Sequence, residues 1–107
     1  LYLFQEGIEP MWEDKSNASG GALSLMFEKA KSDRVWEDLL LSFISDSSED
    51  AHNINGIRLK IRKDIASVEV WVSVKVEETP RCDRLRKWVT DTIGLKEDTH
   101  LDFTSFY

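Results

Sequence analysis

The stretch GIRLKIRKDIASVEVWVSVKV, which begins at Gly56, constrains the fold of this chain more than any other. Ile57, Leu59 and Ile61 point one way, and Arg58, Lys60 and Arg62 point the other. The segment KDIAS, Lys63 to Ser67, is expected to turn the chain. Val68, Val70, Val72, Val74 and Val76 then return on one face, with Glu69, Trp71, Ser73 and Lys75 opposite. A period of two is the signature of a strand buried on one side only. The pattern predicts an antiparallel hairpin whose apolar faces coincide. A face carrying three basic side chains, a carboxylate and an indole cannot be covered by helices. The economical solution is an antiparallel sheet with helices on one side and the other side open.

The remaining segments fit that frame. Residues 7–21 read as an ordered loop, with Pro10, Asn17 and the Gly20-Gly21 pair as turn signals. ALSLMF, Ala22 to Phe27, alternates with Leu23, Leu25 and Phe27 on one side and predicts a half-buried strand. Ser32 suits the start of a helix through Ile44, whose stripe is Val35, Trp36, Leu39, Leu40 and Phe43. The acidic, serine-rich run from Asp46 to Gly56 reads as a solvated connection. A second helix is expected from about Pro80 to Ile93, with stripe Leu85, Trp88, Val89 and Ile93 and with Gly94 as terminator. LDFTSF, Leu101 to Phe106, predicts a last short strand. The expected order is strand, helix, two strands, helix, strand: an α+β fold in a single domain spanning 1–107.

Composition limits the function. The chain is 41% hydrophobic, too high for a disordered tail, and carries a net charge of -6. An acidic protein does not grip nucleic acid backbone indiscriminately, because phosphate contacts need positive charge. Any nucleic acid role must come from a local basic patch and a specific pocket. A single cysteine, Cys82, excludes an internal disulfide. The apolar run LLLSFI is far short of a membrane span. LYLFQEG shows neither a basic leader nor a cleavage pattern, and a start without methionine suggests a fragment of a longer chain.

Few residues invite a chemical reading. In GIEPMWED, Gly7 to Asp14, a tryptophan stands directly before two carboxylates. It either anchors a loop or forms, with Glu13, two walls of a purine-sized pocket. Trp71 shares a face with Arg58, Lys60 and Arg62, so it is either a cross-strand filler or a stacking platform beside positive charge. Trp36 and Trp88 lie on helical apolar stripes and belong to the core. His52 and His100 have no cysteine or carboxylate at ligand spacing. There is no metalloprotease helix, phosphate loop or nucleophile elbow. Nothing argues for catalysis, a metal or a cofactor.

GIEPMWED followed by Gly20-Gly21 resembles the cap-binding translation initiation factor 4E family close to word for word. RVWEDLLLSFI, Arg34 to Ile44, is similar to that family's first long helix. Gly56, Arg62 and Trp71 match a family glycine, arginine and tryptophan at the same spacing, and TDTIGL and LDFTSF resemble later segments. The resemblance implies a curved antiparallel sheet with helices on the convex face and the ligand site on the concave face. The implied ligand is the 7-methylguanosine cap of messenger RNA, stacked between two tryptophans. Trp12 matches one of these, Glu13 the glutamate gripping the base edge, Trp71 the tryptophan near the methyl group, and Arg62 an arginine on the phosphates.

Those residue types suit that ligand. Methylation at N7 makes the base cationic, so indole stacking gains a cation–π component. A carboxylate accepts from N1–H and the exocyclic amine together and so separates guanine from adenine. Three departures mark a divergent member. The second stacking tryptophan lies upstream of the octet, in a part the chain lacks. Ser67 and Asp64 replace basic residues, leaving Lys63 or Lys60 to compensate. Ala22 and Leu23 replace an arginine and a tryptophan. The resemblance also implies a scaffold or inhibitor protein with a helical motif docking on Glu37, Asp38 and Leu41, and residence in the cytoplasm, with a nuclear pool also open. The alternative is a paralogue with weak or lost cap binding that acts as a protein-interaction module.

Overall fold

The computed structural model describes residues 1–45, 51–75, 77–94 and 101–107. Strands β1 (Tyr2–Phe4), β2 (Gly21–Glu28), β3 (Ile54–Arg62), β4 (Ile65–Val72) and β5 (Asp102–Ser105) form a single sheet in the order β1-β3-β4-β2-β5. Every pairing is antiparallel. Helix α1 (Lys15–Ala18) is a single turn, while α2 (Ser32–Ser45) and α3 (Thr79–Ile93) are the long helices. The architecture is α+β, as the alternation predicts.

The hairpin turn is tighter than KDIAS suggests. Only Lys63 and Asp64 separate β3 from β4, with Lys63 in the left-handed region at φ 46°. Ile65, Ala66 and Ser67 are strand residues, because each pairs with β2 on one side and β3 on the other. This register sets Ile57 opposite Val70 and Leu59 opposite Val68, and it sets Arg58 opposite Glu69 and Lys60 opposite Ser67. A turn running through Ser67 would have paired basic residues with valines, mixing the two faces.

The aliphatic face is the core. Val68, Val70 and Val72 are buried with Leu39 of α2 and Leu85 and Val89 of α3 in one cluster. Trp36 and Trp88 pack against that cluster, as their stripes predict. Cys82 is buried on α3, a position the helical stripe had omitted. Gly94 closes α3 in the left-handed conformation, φ 76°, and its N–H bonds the Thr90 carbonyl. Ser32 is not a cap of the expected kind: its hydroxyl donates to the Lys29 carbonyl at 2.7 Å, tying α2 to the 3-10 turn before it.

Two elements were not foreseen. β1 pairs with the edge of β3, setting Leu3 opposite Ile57 and Phe4 opposite Gly56. Leu3 packs against the core, and Phe4 lies beside Trp71 on the other face. A three-residue strand with apolar side chains on both faces carries no alternation to read. The second, α1, lies inside the segment read as a loop. Val76, residues 46–50 of the acidic run, His100 and the leucine that ends TDTIGL lie outside the described residues, while the end of that run is not a solvated connection, because Ile54, Asn55 and Gly56 are buried in β3.

Candidate functional site

The segment between β1 and β2 is held by buried polar side chains. Asn17 is fully buried, and its amide donates to the carbonyls of Glu9 and Met11, both at 2.9 Å. Its side-chain oxygen accepts from Asn55, which also donates to the Ser16 carbonyl at 2.7 Å. Asn55 is free to do this because the β3–β4 ladder slips between Ile54 and Gly56, making it the extra residue. Asp14 completes the clamp, one oxygen accepting from the Glu9 N–H at 3.0 Å and the other from the Ser16 N–H at 2.9 Å. These two backbone donors, Glu9 first, hold the Asp14 carboxyl below the usual carboxylate range. The residues fixed between these ties include Trp12 and Glu13, both of which face solvent.

Trp12 is 56% exposed, a large apolar surface to leave in water. It lines, together with Glu13, Arg58, Lys60, Glu69 and Trp71, a cavity of about 400 Å³ on the sheet face opposite the valine core. Trp71 is on that face, as alternation predicts, but it is neither an open platform nor an exposed filler. Only 5% of it is accessible. Phe4 meets its ring edge-on at 5.2 Å and Phe106 lies tilted at 4.7 Å, while its indole N–H donates to Glu69 at 3.3 Å. Gly56 makes the first contact possible: a Cβ at that position would overlap the Phe4 ring. Trp71 is therefore a fixed wall, and the accessible aromatic face belongs to Trp12.

Ala22 pairs with Trp71 and lines the same cavity. Its methyl leaves room where a long side chain would intrude.

The basic residues are divided between two cavities. Arg62 and Lys63 do not reach the aromatic one; they line a neighbouring cavity of about 670 Å³ with Asp64 and Ser67. Lys60 lines both. An elongated ligand with a flat ring in the first cavity and anionic groups in the second would pass over Lys60. Glu37, Asp38 and Leu41 sit far from this chemistry in sequence, on α2, where Glu37 is exposed and Leu41 is 59% exposed. Asp38 forms a long pair with Arg34 at 4.0 Å.

Sequence reasoning missed Glu69, Phe4, Phe106 and the Asn17–Asn55 pair. Glu69 was legible in principle, since correct register sets it opposite Arg58. Asn17 and Asn55 lie 38 residues apart and carry no local signal.

A family model described as eukaryotic initiation factor 4E matches residues 1–107. The chain belongs to the eukaryotic initiation factor 4E family. Among its relatives is the eukaryotic translation initiation factor NCBP of Arabidopsis thaliana, 44% identical over 71 residues, which are 66% of this chain and 32% of that protein. Two solved 4E-family structures superpose closely. That of Ascaris suum eIF4E-3 with m7G cap is 25% identical, with TM-score 0.86, covering 97% of this chain and 60% of its own. The complex of C. elegans eIF4E-3 with the 4E-binding protein Mextli and cap analog is 25% identical, with TM-score 0.87, covering 96% and 60%. The chain thus spans about a third of the NCBP relative and under two thirds of the matched structures. In this 4E-family member the octet Gly7–Asp14 lies in the segment between β1 and β2, with Trp12 and Glu13 in the cavity that Trp71 lines.

Proposed function

We propose that this chain binds the 7-methylguanosine cap of messenger RNA on the open face of its sheet and acts in translation initiation or its regulation. The observation that carries the reading is that Trp12, Glu13 and Trp71, distant in sequence, line one cavity. The methylated base lies on the exposed Trp12 ring, where cationic stacking is worth about 1–3 kcal/mol. Glu13 accepts from the guanine N1–H and exocyclic amine. Trp71 closes the pocket beside the methyl group. The phosphate chain crosses Lys60 toward Arg62 and Lys63. Lys60 and Lys63 thereby take over the phosphate contacts that Ser67 and Asp64 do not supply. Family membership supports this, as does the m7G cap held by the Ascaris suum structure.

The same reading makes the protein a binding factor rather than an enzyme, resident in the cytoplasm, with access to the nucleus. On the helical side, exposed Glu37 and Leu41 and half-buried Asp38 of α2 receive a short amphipathic helix from a scaffold or inhibitor protein. The C. elegans eIF4E-3 structure with the 4E-binding protein Mextli supports a partner of this kind. A second reading, a paralogue with weak cap affinity acting through α2, is favoured by Asp64 and Ser67 in the basic cavity.

Retention on immobilised 7-methyl-GTP tests the proposal. Trp12→Ala and Glu13→Ala are expected to abolish retention while leaving the circular dichroism spectrum native. Retention equal to that of the native chain would reject the site. Absence of retention by the native chain beside firm binding of a helical peptide would establish the second reading.

A further inference from the structure

Glu69 lines the aromatic cavity, and the cap-binding reading gives it no role. Its carboxylate, with a side chain only 20% exposed, has Lys60 Nζ 3.5 Å from one oxygen and Arg58 Nη1 3.9 Å from the other. The oxygen facing Arg58 also accepts the Trp71 indole N–H at 3.3 Å. Three elements thus converge on this group: its own strand through Trp71, the neighbouring strand through two cations, and the cavity itself.

Lys60 is the residue that lines both cavities, so it is where a base in one and phosphates in the other would share a contact. An ammonium paired with an internal carboxylate has part of its charge compensated and attracts a phosphate oxygen less strongly. Incoming phosphate must compete for it, and the two anions repel across the same cation. The cationic base feels the opposite effect, because Glu69 adds a second carboxylate beside Glu13 in its cavity.

We infer that Glu69 is a specificity-determining counter-ion: by occupying Lys60 it weakens uptake of the phosphate chain and shifts recognition toward the methylated base. This deepens the cap-binding reading and rests on it for the base, though not for the phosphates. Arg62 and Lys63 remain outside its reach in the second cavity, so phosphate binding is attenuated rather than abolished. The ligand class favoured is a cationic purine nucleotide with few phosphates over one with many.

Glu69→Gln is the decisive variant, because the amide oxygen still accepts the Trp71 N–H while the charge is lost. Calorimetric titration of the full chain with inorganic tripolyphosphate, 7-methyl-GMP, 7-methyl-GTP and unmethylated GTP reads the effect. The variant is expected to bind tripolyphosphate and 7-methyl-GTP about five-fold tighter, the scale of a partly exposed ion pair, with a steeper loss on adding salt. Its affinity for 7-methyl-GMP is expected to rise less. In a Lys60→Met background the gain is expected to vanish. Equal or weaker tripolyphosphate binding in Glu69→Gln, or a gain that survives Lys60→Met, overturns the inference. If tripolyphosphate binding tightens while neither protein binds a methylated nucleotide better than its unmethylated form, the counter-ion role stands and the cap reading falls.

Discussion

Val70 and Trp71 are neighbours on β4 and nearly equally buried, at 1% and 5%, yet different parts of the chain bury them. Val70 faces a layer in which Leu39, Leu85 and Val89 arrive from two long helices and interdigitate with valines. Trp71 faces Phe4, Phe106 and a loop held by a few hydrogen bonds from Asn17, Asn55 and Asp14. The first face is redundant, since many contacts enforce the same geometry. The second is sparse and polar, and leaves a cavity. Stability resides on one side of the sheet, and the proposed recognition on the other.

Substitutions that separate the two sides test that contrast. Leu39→Ala, at a fully buried position, is expected to cost about 2–5 kcal/mol in denaturant unfolding. The affinity of the folded fraction for 7-methyl-GTP should not change, and a parallel fall in affinity would break the division. Asn17→Ala bridges the two sides. It removes one of two hydrogen bonds at each of the Glu9 and Met11 carbonyls and the acceptor of one Asn55 amide proton, and is expected to cost about 2 kcal/mol. Because the loop carrying Trp12 loosens, cap affinity should fall as well; native affinity in this variant would mean that the loop is held by other means.

Smaller effects sharpen the picture. Arg62→Ala, on an exposed residue at the hairpin end, should change stability by less than about 0.5 kcal/mol. It should weaken 7-methyl-GTP binding and flatten its dependence on salt, and an unchanged slope would exclude a phosphate contact. The smallest effect concerns Asp14. Its folded-state pKa is depressed by the Glu9 and Ser16 amides, so its contribution is fully present at neutral pH and is lost as pH falls through the folded value. Asp14→Asn should therefore be less stable than the native chain at pH 7, with the difference closing on acidification. A constant difference would show that charge is not what the clamp uses.

The redundant side was also the legible one. Val68, Val70 and Val72, the stripe of α2 and the end of α3 at Gly94 follow from periodicity and capping, because each is enforced locally. The site was legible only in part. Alternation places Trp71 away from the core, but not that Phe4 and Phe106 would enclose it, since those contacts join the two ends of the chain. The turn was over-counted because Ile65 and Ala66 look like a continuation of the polar corner; their strand character comes from β2, which the hairpin alone does not reveal. That error also concealed Glu69 opposite Arg58. Asn17 read as a turn residue and is instead the buried fastener of the loop.

The central claim is that an exposed indole and an adjacent carboxylate take a cationic purine against the fixed wall of Trp71. Fluorescence titration of the native chain and Trp12→Ala with 7-methyl-GTP and GTP tests it most directly. The account predicts strong quenching and tighter binding of the methylated nucleotide by the native chain, with that preference lost in the variant. Equal affinity for the two nucleotides, or a preference that persists without Trp12, would contradict it.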